Sequence, residues 1–158
     1  MTAPLTDHDT PPLQGLRVLE LGQYIAAPAA GQALADLGAD VIKLEPPAGD
    51  ASRHLGWAQD DCGPMFSAYN RGKRSVVLDL KDPRAVAWLK EFVRDRDILV
   101  QNMRPGSLGA MGLSAEALLA VNPRLIYCNL HGFGAKGPKA LHPGYEPTVQ
   151  AFAGMFSM

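Results

Sequence analysis

The stretch LRVLELGQYIAAPAAGQALADLGADVIKLE, Leu16 to Glu45, decides the fold. It opens on a short β-rich run, Leu16–Leu21. An Ala-rich segment follows, Ala26–Leu37, with Pro28 in its first turn and Gly38 just past its end, the usual punctuation of a helix. Asp40–Glu45 is a second β-rich run. The same alternation continues downstream. Ser75–Leu80 reads as a third strand, and Asp82-Pro83 opens a helix to about Arg94, with Val86, Leu89, Lys90 and Val93 at helical spacing. Asp97–Gln101 is a fourth strand. Ser114 caps a short helix that Asn122-Pro123 ends, and Leu125–Asn129 is a fifth strand. Strands and helices in strict alternation predict an α/β fold: a Rossmann-like, mostly parallel sheet with helices on both faces. Ligands of such sheets sit beyond the carboxyl ends of the strands, so the loops after Leu21, Glu45, Leu80, Gln101 and Asn129 are the places to look.

The bulk composition narrows the classes. With 158 residues, 47% hydrophobic and 20% charged, the chain has the make-up of one ordinary globular domain. A formal net charge of -1 gives no global attraction to nucleic acid or to an anionic membrane. Residues 1–12 are polar and Pro-rich, without the basic and apolar regions of a signal peptide, and read as a disordered leader. No apolar run reaches the ~18 residues a membrane span needs. Cys62 and Cys128 have no paired spacing and read as reduced thiols, which together with the missing signal peptide points to the cytoplasm. The four histidines and two cysteines show no metal-ligand spacing, so no metal is expected.

Several segments could carry chemistry. An acid at the end of the second strand, Glu45, is how many NAD domains begin. That reading needs Gly-x-Gly-x-x-Gly in the first turn, whereas Leu21–Pro28 has one glycine and bulky Tyr24 and Ile25 where backbone would have to approach a pyrophosphate. The segment Asn70–Lys81 carries four cations, three before the third strand and Lys81 at its carboxyl end beside a helix start. It reads either as an anion site or as a solvated basic loop. Asn102, Met103 and Arg104, followed by Pro-Gly, present a donor fork and free amides at the binding edge. With the previous segment this suggests a ligand bearing several phosphates. Asn129–Pro138 is glycine-rich, with Lys136 and Lys139 adding local positive charge. His131 in that loop reads as structural or catalytic. The chain closes on PGYEPTVQAFAGMFSM, where Glu146 stands just before an apolar run.

Six ordered segments together resemble the class III CoA-transferases of the CaiB/BaiF type, which include formyl-CoA transferase and α-methylacyl-CoA racemase. They are PLQGLRVLELGQYIAAP, LGADVIKLEPPAGDASR, NRGKRSVVLDLKDP, NMRPGSLGAMGL, NPRLIYCNLHGFGAKGP and PGYEPTVQAFAGM, and the resemblance covers Leu13 to Met158. It implies a Rossmann-like domain over 13–158 that binds coenzyme A or acyl-CoA as substrate, with no separate cofactor. It also implies an interlinked homodimer and transfer of CoA between a thioester and a carboxylic acid through covalent intermediates on an aspartate. The implied CoA contacts fall on Ile25 and Ala26, on Leu78, Asp79, Leu80 and Lys81, on Asn102, Met103 and Arg104, and on Pro143, Gly144 and Tyr145. Glu146 is implied as an auxiliary at the site rather than the nucleophile.

The chain also departs from the family pattern. Ile25 stands where formyl-CoA transferases carry a glutamine, which argues against oxalate or formate as substrate. Ala110 and Pro143 replace a family arginine and a family lysine, a loss that Arg104, Lys136 or Lys139 could offset. Tyr145 stands where the racemase branch has a histidine, which favours transferase over racemase. The family's nucleophilic aspartate and second domain have no counterpart here, so the chain is expected to be an amino-terminal portion, inactive alone. A CoA-binding fragment without catalysis is the remaining alternative.

Overall fold

The computed structural model describes residues 10–57, 62–134 and 136–157. Most of the leader expected over 1–12, and Met158, lie outside the described residues. Five strands form one sheet: β1 (Arg17–Leu21), β2 (Asp40–Glu45), β3 (Arg74–Val77), β4 (Ile98–Gln101) and β5 (Ile126–Asn129). Their order is β3-β2-β1-β4-β5 and every pairing is parallel, so the expected α/β architecture is present.

The helices between them are α1 (Ala26–Asp36), α2 (Pro64–Asn70), α3 (Pro83–Val93), α4 (Ser107–Ala110) and α5 (Ala115–Val121), with α6 (Glu146–Phe152) last. β1 is central, flanked on both sides, and Val18 and Leu19 have no solvent exposure. Side chains alternate across the sheet with the period of the pleat. Leu19, Leu21, Leu44 and Leu99 pack with Leu89 and Val93 of α3 and Leu118 of α5. Val18, Val41 and Val100 pack with Ala27 and Leu34 of α1 on the opposite face. At the outer strands burial fails: all four residues of β3 are exposed, as is Ile126 of β5.

Local chemistry sets the ends. Gly38 takes φ +98° after α1, and Gly38 and Ala39 donate back to the Ala35 and Leu34 carbonyls, closing the helix as a left-handed cap. Asp82 caps α3, its carboxylate accepting from the Arg84 N–H at 2.8 Å, with Pro83 in the first turn. Asn122, at the end of α5, donates to the Val93 and Arg96 carbonyls and so ties the end of α3 to α5.

Two expectations are corrected. The third strand ends at Val77 rather than Leu80. Leu78 N–H still donates to the Glu45 carbonyl, but Asp79 then accepts from the Lys81 and Asp82 amides, and that turn peels the chain off the sheet. The excursion read as loop over 46–64 contains a 3-10 turn at Ala51–His54 and leads into α2, whose start is set by Gly63 and Pro64. Among the described residues no helix is long and apolar enough to cross a membrane.

Candidate functional site

The strand order reverses between β1 and β4, and the loops leaving the carboxyl ends of β1 to β4 enclose a cleft of about 220 Å³. Its walls come from four places in the sequence. Leu21, Gly22 and Gln23 leave β1, Leu44 and Pro46 end β2, Leu78–Lys81 follow β3, and Met103 and Met111 follow β4. The lining is largely apolar. Leu78, Leu80, Met103 and Met111 also pack on the core beneath, so the cleft floor is continuous with the hydrophobic interior. Asp79 and Lys81 are exposed and supply charge at the rim.

The turn from β1 into α1 has its backbone bonded from three directions. Asn102 accepts from the Gln23 N–H at 3.0 Å and donates to the Gln23 carbonyl at 2.9 Å. Asp50 Oδ1 accepts from the Tyr24 N–H at 3.3 Å. Lys43 Nζ donates to the Gly22 carbonyl at 2.7 Å. Tyr24 is held at φ 65°, the one non-glycine residue with positive φ among those described.

Behind this turn lies a chain of buried charges. Glu20 and Lys43 are register partners on β1 and β2, and Lys43 Nζ lies 2.9 Å from Glu20 Oε1 and 2.8 Å from Asp50 Oδ2. Lys73 Nζ lies 2.7 Å from Glu20 Oε2 and 2.7 Å from the Pro28 carbonyl in the first turn of α1. Two carboxylates and two ammonium groups balance. Gly31 makes room for them, because a Cβ there would sit 2.0 Å from Glu20 Oε2. Burial pushes the Lys73 ammonium down from its ordinary value, against the pull of Glu20. Burial would raise the Asp50 carboxyl, but the Lys43 ammonium and the Ser52 donors outweigh it and hold the group low.

Glu45, at the end of β2, is likewise buried. Burial opposes its ionised form, yet Arg53 (2.6 and 2.7 Å), the Ser75 hydroxyl and the Asp50 N–H together bring its pKa down to about 2. Its oxygens are thus committed within the protein, and no ribose-binding role is open to it.

The sequence-predicted residues fall into three groups. Leu78, Asp79, Leu80, Lys81 and Met103 share the cleft. Ile25 and Ala26 lie exposed at the start of α1, and Asn102 and Arg104 flank Met103 at its edge. Pro143, Gly144, Tyr145 and Glu146 are exposed at the start of α6 and do not line this cleft. Glu146 accepts from Gln150 at 2.7 Å, and the segment crosses the loop after β5 so closely that a Cβ on Gly132 would meet Gly144 Cα at 2.4 Å. Of the cations in Asn70–Lys81, Arg71 and Arg74 pair with Asp36 and Asp40 and Lys73 is buried on Glu20, leaving Lys81 at the cleft. Arg71 and Arg74 thus stand in exposed surface ion pairs, and among these cations only Lys73 is buried into the fold.

Sequence reading gives no role to Glu20, Lys43 or Asp50, and takes Lys73 only as one cation of a basic segment. A signal was available: one acid and one base in the middle of adjacent apolar strands, at matching positions, on a sheet that buries both faces.

A parallel sheet with its cleft at the carboxyl edge, beside the point where strand order reverses, defines a doubly wound α/β domain. The chain belongs to CoA-transferase family III, whose family pattern it matches over residues 13–158. It is 45% identical over 156 residues to a succinate–glutarate CoA-transferase of Agrobacterium fabrum, covering 94% of this chain and 39% of that protein. It is 44% identical over 145 residues to an acetyl-CoA:oxalate CoA-transferase of Acetobacter aceti, covering 91% and 37%. The crystal structure of a CaiB/BaiF family protein from Brucella suis superposes with a TM-score of 0.87 at 41% identity, covering 92% of this chain and 40% of that one. The chain thus spans about two fifths of the length of these relatives.

Proposed function

We propose that this chain forms the CoA-binding domain of an enzyme that moves CoA between an acyl-CoA thioester and a carboxylic acid. One observation carries the reading: a chain of CoA-transferase family III has an apolar cleft, with Lys81 at its rim, at the carboxyl edge of its parallel sheet. In this reading Leu78–Lys81 and Met103 seat the cofactor-sized substrate, Ile25, Ala26 and Asn102 border it, and Lys81 and Arg104 meet its phosphates. Pro143–Tyr145 form a further contact region, and Glu146 an electrostatic auxiliary. The chemistry is covalent exchange on a carboxylate. An aspartate attacks the thioester carbonyl, giving a mixed anhydride and CoA thiolate. The thiolate attacks the aspartyl carbonyl of that anhydride, which releases the donor acid and leaves an enzyme thioester. The acceptor carboxylate attacks this thioester, giving a second mixed anhydride and free thiolate, and the thiolate then takes the acceptor acyl group, leaving the new acyl-CoA and the free aspartate. The domain's part is to hold CoA in place and keep water from the anhydride. The resemblance puts the aspartate outside these 158 residues, so the chain alone is expected to bind CoA and not to transfer it. An interlinked homodimer and a cytoplasmic location belong to the same reading.

The names of the Agrobacterium and Acetobacter relatives include succinate, glutarate and oxalate, which supports a short dicarboxylate, while Ile25 in place of a glutamine argues against oxalate itself. Isothermal titration of the 158-residue chain with CoA tests the binding claim: saturable heat at one site is expected, and its absence would overturn the reading. Succinyl-CoA with glutarate tests the rest, and turnover by the purified chain would refute the absence of a nucleophile.

A further inference from the structure

The β1–α1 turn borders the cleft in a conformation that its own sequence does not favour. A tyrosine in the left-handed region is disfavoured by roughly 5- to 30-fold against ordinary backbone. Left to itself the turn would relax. What opposes this is the buried charge chain, and the geometry of that chain is one-sided. Lys43 reaches the Gly22 carbonyl, Asp50 the Tyr24 N–H, and Lys73 the Pro28 carbonyl. The three backbone atoms bracket the turn at its start, its strained centre and its exit into α1. Four fully desolvated charges are a costly way to fill space between a sheet and a helix, where apolar side chains of the same volume serve as well or better. Their cost is understandable if they fix a backbone that packing alone leaves free.

We infer that Asp50 and Lys73, linked through Lys43 and Glu20, are positioning residues that lock the β1–α1 turn in the shape in which Gly22 and Gln23 wall the cleft and Ile25 and Ala26 border it. Asp50 is the critical member, because one carboxylate serves two sides: Oδ2 faces Lys43, while Oδ1 takes the Tyr24 and Ser52 amides and the Ser52 hydroxyl. An asparagine has one acceptor oxygen and cannot do both. With its oxygen drawn to Lys43, its NH2 group would face the Tyr24 N–H and the clamp would open. The consequence for ligand binding rests on the CoA reading above; the consequence for the turn does not.

The test is a cycle of D50N and Y24G in the 158-residue chain, read by titration with CoA and by amide hydrogen exchange. Glycine takes the left-handed conformation at little cost, so a turn carrying it depends less on the clamp. D50N is expected to weaken CoA about tenfold, and the same change in a Y24G background to cost under about threefold, a difference that a purely structural role would not produce. The Tyr24 and Ile25 amides of D50N are expected to exchange at least about tenfold faster while those of β4 are unchanged. An equal loss in both backgrounds, or unaltered exchange at the turn, would overturn the inference. If the wild-type chain binds no CoA, the functional reading fails while the exchange arm still decides the turn. Should D50N not fold, N102A removes the Gln23 bonds from the exposed side and is read in the same cycle, with the same expected rescue by glycine.

Discussion

Lys43→Met keeps the length of the side chain and removes its charge. The ammonium now has oxygens at 2.7 Å (Gly22), 2.8 Å (Asp50) and 2.9 Å (Glu20), and neither carboxylate has any solvent exposure. After the substitution Glu20 keeps Lys73, and Asp50 keeps Ser52 and Tyr24, so two buried acids share one counter-charge. Breaking a buried pair by removing one partner costs ~3–5 kcal/mol, because the remaining charge stays desolvated. For a chain of this size that corresponds to a fall of roughly 10–15 °C in Tm. Urea unfolding followed by circular dichroism measures it, and an unchanged m-value would show that the loss lies in stability and not in the compactness of either state. The double variant E20Q/K43M restores neutrality, with Asp50 and Lys73 left as the two opposite charges of the chain, and is expected to recover at least ~1 kcal/mol of the loss. A cost below ~1 kcal/mol for K43M would mean that water reaches these groups, and the account of a desolvated charge chain would be wrong.

Glu45 gives a pH signature. Its folded pKa of about 2 lies below its ordinary 4.5, so the unfolded chain takes up the proton first and acid favours unfolding. The stabilisation is complete above about 4.5 and is lost as pH falls toward about 2; E45Q should flatten that limb of the acid-unfolding curve, and an unaltered limb would refute the assignment. Asn122→Ala takes one donor from the buried Val93 carbonyl, which keeps the Arg96 N–H, and removes the Asn122 donor from the half-buried Arg96 carbonyl, at a cost of about 1–2 kcal/mol by chemical denaturation. Gly132→Ala forces apart two backbones that nearly touch. Amide exchange should rise at residues 130–134 and 143–146 while the sheet is unaffected; no local change would show that the crossing is not a close one.

The alternation of β-rich runs with helical stretches made the architecture legible, because a parallel sheet covered on both faces needs near-continuous apolar strands and a helix between each pair. Leu19, Val41 and Leu99 are core residues that any such reading finds. The cleft was half legible: the rule that ligands meet the carboxyl ends of strands pointed to the loops after the third and fourth strands, the family resemblance named Leu78–Lys81 and Met103 there, and these line it. Strand ends were harder. Nothing in the run Ser75–Leu80 marks the point where Asp79 turns the chain off the sheet, since the signal is its side-chain oxygen finding the Lys81 amide and its carbonyl the Asp82 amide. The cations of Asn70–Lys81 were equally ambiguous, because whether a lysine is solvated or buried depends on what stands opposite it. Lys73 stands against Glu20, 53 residues away.

The succession of elements and the α/β class thus follow from local spacing and apolar periodicity, which act over a few residues and can be read along the chain. Which charges are buried, and what they hold, follows from register between strands distant in sequence. Glu20 meets Lys43 only when β1 and β2 pair, and Asp50 reaches Tyr24 only when the loop after β2 folds back over β1. The sequence by itself determined the sheet and the edge at which the cleft opens. The tertiary structure alone decided the shape of the turn beside that cleft, because a left-handed tyrosine has no local cause and its turn is bonded by Lys43, Asp50 and Asn102 from elsewhere in the fold.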